Sequence, residues 1–336
     1  ELRDEALDLA IIPRCSNREL SHARCPLVAP KKTAPIRWVP ALSLLDGHIV
    51  HLPVVMVYLF AGLKTPEERI CLPITTGCAA HTSYERALTA AILEVIERDA
   101  ISIVWLQKLG LPRIEIDSLP SNLAAYWERY LRSSKELEYV FLDATTDVGV
   151  PIVYGLQISH SNRHLATLVS CSSAFNPADA IVKVMRDMAA LRIAFRVARP
   201  APHHYEDFTG VFHGASYLAR AEQAGAFNFL MQSSTKRLLS QMPSLERGSD
   251  DRDTLRIVLE ILRRRQLNAY AVDLSTDEAL RCGFRVVRVV IPGLQPLSFH
   301  YRARYLGHPR LYEAPEQMGY PVLREEEVNP WPQAFC

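Results

Sequence analysis

The stretch TTGCAAHTSYERALTAAILEVIERDAISIVWL, residues 75–106, carries the pattern that decides the fold. Thr82 and Ser83 offer side-chain oxygens to cap a helix, and Glu85 stands three residues after Thr82 in capping-box register. At about 100° per residue, the residues that follow place an apolar stripe on one side of a helix and polar residues on the other. The stretch therefore predicts a long amphipathic helix. Its apolar stripe consists of Ala87, Leu88, Ala91, Ile92, Val95 and Ile96.

Two acidic residues lie close together on the polar side of that helix. Glu94 and Glu97 are three residues apart, so their carboxylates are neighbours on the helix surface. Like charges held together destabilise each other unless a cation lies between them, and Mg²⁺ takes one or two carboxylates together with phosphate oxygens. The pair therefore indicates either a metal-bridged phosphate site or a solvated face on which Arg98 pairs with Glu94 one turn back.

The composition limits the class of protein. The chain has 336 residues, 49% of them apolar, and a net charge of +1, so it can bury a core and has no overall field that would attract nucleic acid or a membrane. The longest apolar run, residues 51–63, is interrupted by Pro53 and is too short to cross a bilayer. Seven scattered cysteines without a C-x-x-C pair predict reduced thiols in the cytoplasm.

The rest of the chain alternates between strand and helix patterns. Two apolar segments flank the turn dipeptide Asp46-Gly47 and predict a hairpin. Asn176 and Pro177 have the character of a helix start, and residues 199–250, rich in Pro and aromatics, predict a mobile helical excursion over the site. The full prediction has strands at 36–45, 48–59, 137–146, 151–160, 164–173, 268–276 and 284–293, further helices at 121–133, 177–198, 253–265 and 277–282, and a loop at 114–120.

A loose internal repeat relates residues 82–98 to residues 176–192. In each, a small polar cap and a long amphipathic helix follow a strand meander. A strand-and-long-helix unit used twice predicts an α+β fold with the helices packed to one side of a sheet. We expect the polar faces of the two helices to converge on a pocket.

The order of these features resembles the YcaO family, whose members use ATP to activate peptide backbone amides. The resemblance rests on the GCAA, ERAL and LEVIERDA segments and on the later VVIPGLQPL and YLGHPRLYEAP. It implies a YcaO-like α+β fold, with mixed and antiparallel sheets and long helices around an ATP site. It also implies a YcaO domain at residues 36–332 that includes the 199–250 excursion, between an irregular segment at 1–35 and a tail at 333–336.

The resemblance assigns roles to residues of the central helix. Glu94 and Glu97 match the glutamates that bind the Mg²⁺ ions bridging the ATP phosphates. If they bind those ions here, we expect Arg98 to be a cation next to the phosphates. Thr82 and Arg86 match nucleotide-site positions that are commonly Asn and Glu in the family.

The helix that starts at Pro177 and the end of the chain match two further family features. Asp187, Ala190 and Arg192 align with a Glu, a Gln and an Arg, which implies that Asp187 binds metal and that Arg192 binds the nucleotide and takes part in catalysis. Family cyclodehydratases often end in a proline-rich tail needed for cyclisation. Pro330, Trp331 and Pro332 match that tail and are implied to be catalytic.

The implied activity is an ATP-dependent cyclodehydratase with ATP and Mg²⁺ as cofactors. Such an enzyme phosphorylates a backbone amide oxygen and installs thiazoline or oxazoline rings at Cys, Ser or Thr of a ribosomal precursor peptide. The implied partners are that peptide and a leader-binding protein of the ubiquitin-activating-like or winged-helix type, in a homodimer or a hetero-complex.

Two departures from the family keep other functions open. The family's Gly-Lys segment and a separate S-x-x-x-E-x-x-E-R helix are not found, so either the chain is truncated before Glu1 or it binds ATP poorly. The alternatives are backbone thioamidation and, given also Ala190, a non-catalytic scaffold subunit of a peptide-modifying complex.

Overall fold

The computed structural model describes residues 5–132, 136–197 and 201–336. The chain forms two compact units. Unit 1 comprises Glu1–Asp99, Arg247–Leu297 and Arg302–Arg310, and unit 2 comprises Ala100–Glu246, Ser298–Tyr301 and Leu311–Cys336. Each unit has its own five-stranded sheet, and the predicted α+β fold with antiparallel and mixed sheets is confirmed.

The helices and strands are numbered in chain order. The strands are β1 Trp38–Ser43, β2 Ile49–Pro53, β3 Cys78–His81, β4 Arg113–Glu115, β5 Leu137–Asp143, β6 Ile152–Ser159, β7 Thr167–Ser173, β8 Lys236–Leu238, β9 Tyr270–Asp273 and β10 Arg285–Val290. The α-helices are α1 Asn17–Ser21, α2 Val54–Val57, α3 Tyr84–Leu106, α4 Ser121–Tyr126, α5 Pro177–Ala194, α6 Val211–Leu218, α7 Asn228–Met231, α8 Asp251–Arg264, α9 Asp277–Arg281 and α10 Arg310–Gln317.

The sheet of unit 1 is antiparallel, in the order β2-β1-β9-β10-β3. The predicted hairpin is confirmed, and Gly47 supplies the positive φ of +76° that its turn needs. The strand predicted at 48–59 is wrong beyond Pro53. There the Val54 N–H donates to Arg37 O and the chain turns into the short helix α2.

The central helix α3 confirms the prediction for residues 75–106, but its cap differs. Ser83 Oγ accepts a hydrogen bond from the Arg86 N–H at 3.3 Å and so caps the first turn. The Thr82 hydroxyl lies instead 3.3 Å from His81 Nδ1, so the predicted capping box at Thr82 is wrong. Four stripe residues, Ala87, Ala91, Ile92 and Ile96, are completely buried. By transfer free energies, burying each Ile contributes about 1.5 to 3 kcal/mol to stability.

Unit 2 contains the sheet β7-β6-β5-β4-β8. Strands β5 to β7 form the predicted antiparallel meander, whereas β8 joins β4 in parallel. Helix α5 starts at Pro177, where the Asn176 side chain accepts from the Ala178 N–H at 2.8 Å. Its buried Val184 and Met188 pack over Gly155 of β6, where a Cβ would overlap Val184. Packing of this buried face against the sheet stabilises α5 more than helix propensity does.

Several helices and strands begin or end at other residues than predicted. The loop predicted at 114–120 contributes Ile114 and Glu115 to β4, and the helix predicted at 121–133 is α4 followed by a π-helical turn, Trp127–Arg132. The helix predicted at 177–198 ends at Ala194. Parts of the predictions at 1–35, 121–133, 177–198 and 199–250 lie outside the described residues.

The later elements follow the predicted order. Residues 201–250 contain α6 and α7, which confirms their helical character, and also β8. The predicted helix-strand-helix-strand series is α8, β9, α9 and β10, whereas α10 was not predicted. The repeat is only partly confirmed, because α5 follows a meander but α3 follows the single edge strand β3. Across the described part of the chain, every helix is too short or too polar to span a bilayer.

Candidate functional site

Glu94, Glu97 and Arg98 form an ionic cluster on α3, which we call the carboxylate cluster. Arg98 Nη1 lies 2.7 Å from Glu97 Oε1, and Arg98 Nη2 lies 3.5 Å from Glu94 Oε1. The side chains of Glu94, Glu97 and Arg98 are 28%, 10% and 21% exposed. The predicted i,i+4 pair therefore exists, but the two carboxylates do not extend into bulk water. A shared cation offsets the repulsion between them, as the sequence pattern requires.

Gly77, just before β3, orients one carboxylate of this cluster. Its N–H donates to Glu94 Oε2 at 3.0 Å. Gly77 has a φ of +83°, and a Cβ there would overlap the Val289 carbonyl oxygen and lie 2.9 Å from Val95 Cγ2. Only glycine fits this close approach, so the backbone can bring its N–H to Glu94.

A cavity that is open to solvent lies beside the cluster within unit 1. Arg98 and Arg288 line it, but Arg288 donates to the carbonyl oxygens of Met56 at 3.1 Å and Ile74 at 2.7 Å. Arg288 therefore ties backbone segments together, and Arg98 links the carboxylate cluster to the cavity. The other walls of the cavity are mostly apolar and include Ile12, Met56, Ile74, Val95, Val289 and Ile291. The cavity therefore combines apolar walls with a charged group at one edge, as small-molecule sites do.

A buried ion pair fixes α3 at the residue directly after Arg98. Asp99 is completely buried, and its Oδ2 accepts from Arg310 Nη2 at 2.8 Å. The Gln295 N–H donates to Asp99 Oδ1 at 2.7 Å. This pair was not predicted from the sequence, although Asp99 follows Val95 and Ile96 at helical spacing. A carboxylate that continues an apolar stripe is a signal for a buried cationic partner.

Thr82 and Arg86, predicted to bind nucleotide, lie at the start of α3 in unit 1. Thr82 is exposed, with its hydroxyl next to His81. Arg86 Nε lies 3.4 Å from Asp251 Oδ1, and the two side chains are 53% and 43% exposed. In the structure described, Arg86 therefore makes a solvated surface pair.

Asp187 and Arg192, predicted to bind metal and nucleotide, belong to α5 in unit 2. Asp187 is exposed. Arg192 is half-buried, and its Nε donates to Gln157 Oε1 on β6 at 2.6 Å while Nη2 lies 3.4 Å from Leu165 O. Burial lowers the pKa of this guanidinium from its usual value. The arginine is thus held against the sheet of its own unit.

The proline-rich segment is also held within unit 2. Pro330 is exposed, Trp331 is half-buried and Pro332 is buried, and Ala334 and Phe335 of the predicted tail are each only 4% exposed. The last residues of the sequence therefore pack against the unit.

The structure limits how a metal can bind. Among residues 5–132, 136–197 and 201–336, no three His, Cys, Asp or Glu side chains are grouped so that they could hold an ion. All seven cysteines are free thiols, as predicted. A two-carboxylate cluster fits Mg²⁺, which binds proteins through few carboxylates and takes its other ligands from water and phosphate.

Comparisons with known proteins identify the fold. A family model described as YcaO cyclodehydratase, ATP- and Mg²⁺-binding, matches residues 1–295. An uncharacterized protein of Methanothermobacter thermautotrophicus is 27% identical over 276 residues, 78% of this chain and 66% of that protein. A heterocyclase solved in complex with substrate and cofactor matches with a TM-score of 0.81 and 21% identity, over 99% of this chain and 44% of its own. YcaO from Methanopyrus kandleri, bound with AMPPCP and Mg²⁺, has a TM-score of 0.60 and 18% identity, over 86% of this chain and 72% of its own.

The fold is that of the heterocyclases. Because the family model matches most of its length, the chain belongs to the YcaO family, as the sequence resemblance implied. This family binds ATP and Mg²⁺, which confirms the two expected cofactors and supports an ATP-dependent enzyme. The chain spans 66% of the Methanothermobacter relative and less than half of the heterocyclase.

Proposed function

We propose that the protein is an ATP-dependent cyclodehydratase that forms azoline rings at Cys, Ser or Thr of a ribosomally made precursor peptide. The observation that carries this proposal is the carboxylate cluster. Two partly buried glutamates, one oriented by the Gly77 N–H, share Arg98 at the edge of an open cavity, in a chain whose family binds ATP and Mg²⁺.

The proposed reaction converts an amide and a neighbouring side chain into a ring. The thiol or hydroxyl adds to the preceding carbonyl carbon, the carbonyl oxygen receives the γ-phosphoryl group of ATP, and this oxygen leaves in inorganic phosphate. The products are the azoline, ADP and phosphate, and the peptide has lost one water. Amide oxygen is a poor leaving group, so phosphorylation makes its departure feasible. Mg²⁺ supplies charge neutralisation for the phosphoryl transfer.

The carboxylate cluster performs a defined part of this chemistry. Glu94 and Glu97 would hold Mg²⁺, with Asp187 as a further proposed ligand. Arg98 compensates the carboxylate charge in the structure described, and Arg98 also lines the cavity. With Mg²⁺ held by Glu94 and Glu97, Arg98 would be free to neutralise a phosphate at the cavity edge.

The other site assignments belong to the same proposal. Thr82, Arg86 and Arg192 would contact the nucleotide, and residues 330–332 would act in the ring-forming step, with Arg192 assisting. The substrate would be a precursor peptide presented by a leader-binding protein. A heterocyclase with the same fold was solved in complex with substrate and cofactor, which supports the choice of a ring-forming reaction.

The direct test measures products by mass spectrometry after co-expression with a precursor peptide and its leader-binding protein. The wild type should give the loss of one water per modified residue. Glu94→Gln and Glu97→Gln should each lower the rate by about 100-fold or more, because an amide cannot replace a charged metal ligand. Glu85→Gln, in the first turn of the same helix, is the matched control and should leave the rate nearly unchanged.

Two other outcomes would point to the alternatives. Unchanged product when both glutamates are replaced would support a scaffold subunit and contradict the proposal. A mass gain from replacement of oxygen by sulfur would show thioamidation instead of azoline formation. Calorimetric titration with AMPPCP and Mg²⁺ then separates lost nucleotide binding from lost turnover.

A further inference from the structure

Residues 329–336, which we call the end segment, begin at a fixed point in unit 2. Asn329 is 1% exposed, and its N–H donates to the carbonyl oxygen of Leu106, the last residue of α3, at 2.8 Å. The Asn329 side-chain Oδ1 accepts from the Trp331 N–H at 3.1 Å, which closes a local turn. The proline-rich part of the segment therefore starts from a constrained backbone.

Aromatic side chains contact the proline-rich part from one side. The Tyr301 hydroxyl donates to the carbonyl oxygen of Pro330 at 2.9 Å. The ring centre of Trp331 lies 6.0 Å from that of Tyr205, which in turn lies 5.0 Å from that of Tyr301. Along this part of the segment, burial increases from the exposed Pro330 through the half-buried Trp331 to the buried Pro332.

The last residues of the end segment are enclosed more completely. Phe335 is 4% exposed and meets Tyr154 edge-on, with ring centres 5.7 Å apart. Tyr154 lies on β6 and is completely buried. A phenylalanine seated against an aromatic floor is an apolar anchor, because leaving that seat would return its ring to water.

A glycine of α6 makes room for this anchor. At Gly214 a Cβ would overlap the carbonyl oxygen of Gln333 and lie 3.0 Å from its carbonyl carbon. Glycine inside a helix is less favourable than alanine, so helix propensity alone would not select it at this position. The close approach of residue 333 explains why glycine fits there and alanine does not.

We propose that α6 and β6 form a receptor for residues 333–336, and that this anchor holds residues 330–332 in one position. Phe335 and Gly214 are then positioning residues, since they act on the proline-rich part through the backbone that links them. The effect of the anchor on catalysis rests on the proposed function, since it assumes that residues 330–332 act in the ring-forming step. The anchoring itself is independent of the reaction.

The test uses Gly214→Ala and Phe335→Ala in the full chain, with hydrogen exchange followed by mass spectrometry. Both variants should speed amide exchange at residues 331 and 333–336 by about tenfold or more while exchange in β5 to β7 stays unchanged. Gly225→Ala is the matched control, because the nearest atom to a Cβ there is 3.9 Å away. Tyr154→Phe is a second control, since it keeps the aromatic ring against Phe335. Neither control should alter exchange in the end segment.

Activity assays supply the second arm. With the precursor peptide, Gly214→Ala should lower kcat by about tenfold and leave KM for ATP unchanged. Phe335→Leu, which keeps a large apolar side chain, should retain most of the activity that Phe335→Ala loses. Unchanged exchange in both alanine variants would overturn the anchor. Faster exchange with full kcat would overturn its positioning role. A wild type without any cyclised product contradicts the proposed function instead, and the exchange arm then still decides the anchor.

Discussion

The carboxylate cluster on α3 is followed directly by Asp99, which pairs with Arg310 of α10, and the two groups differ in their surroundings. In the cluster, the side chains of Glu94, Glu97 and Arg98 keep 10% to 28% of their surface exposed. Asp99 is completely buried, and the side chain of its partner Arg310 is 8% exposed. Arg98 of the cluster lines an open cavity, whereas Asp99 accepts hydrogen bonds from the Gln295 N–H and from Arg310 inside the protein.

This difference distinguishes the proposed binding role of the carboxylate cluster from the structural role of the Asp99–Arg310 pair. A buried charge must be compensated by partners inside the protein, and Asp99 accepts from both a backbone N–H and a guanidinium. Partly exposed carboxylates keep access to solvent, so an incoming cation can reach them. This part of α3 is thus held in place through Asp99, while Glu94 and Glu97 stay partly exposed around Arg98, which lines the cavity.

The largest expected effect is on the buried pair. Arg310→Met leaves the Asp99 carboxylate buried without its cation, so the free energy of unfolding should fall by about 3 to 5 kcal/mol. Urea denaturation followed by circular dichroism measures this. Adding Asp99→Leu should recover part of the loss, because the double variant buries no charge. A loss below about 1 kcal/mol would mean that the pair is not the structural support inferred above.

The next effect concerns the glycine that orients Glu94. Gly77→Ala places a Cβ against the Val289 carbonyl and forces alanine to a φ of +83°, so we expect a loss of about 2 to 4 kcal/mol. Gly47→Ala is the matched control, since it has a similar φ of +76° with no atom within 4 Å. Its loss should be about 1 kcal/mol, from backbone strain alone. Equal losses in the two variants would show that the close approach at Gly77 is unimportant.

A third ionic group lies between the two extremes. Glu68 is 2% exposed and accepts from Arg37 Nε and Nη2, each at 2.7 Å, while the Arg37 side chain is 35% exposed. Hydrogen bonds from Arg37 are the main cause that lowers the pKa of Glu68 from 4.5 to about 2. Because the folded-state pKa is lowered, this carboxylate stabilises the fold above pH 4.5 and loses that effect as the pH falls towards 2.

Acid titration of stability tests this group. Allowing for the solvent at Arg37, the contribution of Glu68 is about 2 kcal/mol at neutral pH, and Glu68→Gln should remove it. The difference between wild type and variant should shrink below pH 4.5. Burial also lowers the pKa of His308 from 6.5 to about 4, so its contribution to stability is lost as the pH falls from 6.5 towards 4. Because His308 is present in both wild type and variant, its contribution cancels in the difference between them. A difference that stays constant down to pH 2 would contradict the assignment to Glu68.

The smallest expected effect is at the solvated end of α3. Arg86→Ala removes a surface pair with Asp251, so the free energy of unfolding should change by less than about 0.5 kcal/mol. The same variant tests the predicted nucleotide role of Arg86. An increase in KM for ATP at unchanged stability would confirm that role, and an unchanged KM would remove Arg86 from the site.

The sequence by itself determined the elements that depend on near neighbours. Periodicity over residues 75–106 predicted α3 and most of its buried stripe, since residues three and four apart share a helix face. Asn176 and Pro177 predicted the start of α5, and turn residues predicted the β1–β2 hairpin and the β5 to β7 meander. The pair Glu94 and Glu97 followed from their spacing, and the YcaO family followed from the order of motifs.

Only the tertiary structure decided the contacts between distant residues. Asp99 meets Arg310, β8 joins β4 in parallel, and Gln333 passes over Gly214, although long stretches of chain separate the members of each pair. Periodicity describes which face a residue takes within one element and does not state which distant element will cover that face. The partner of a charged residue such as Asp99 depends on which distant element packs over it, because burial and pairing are properties of the packed chain.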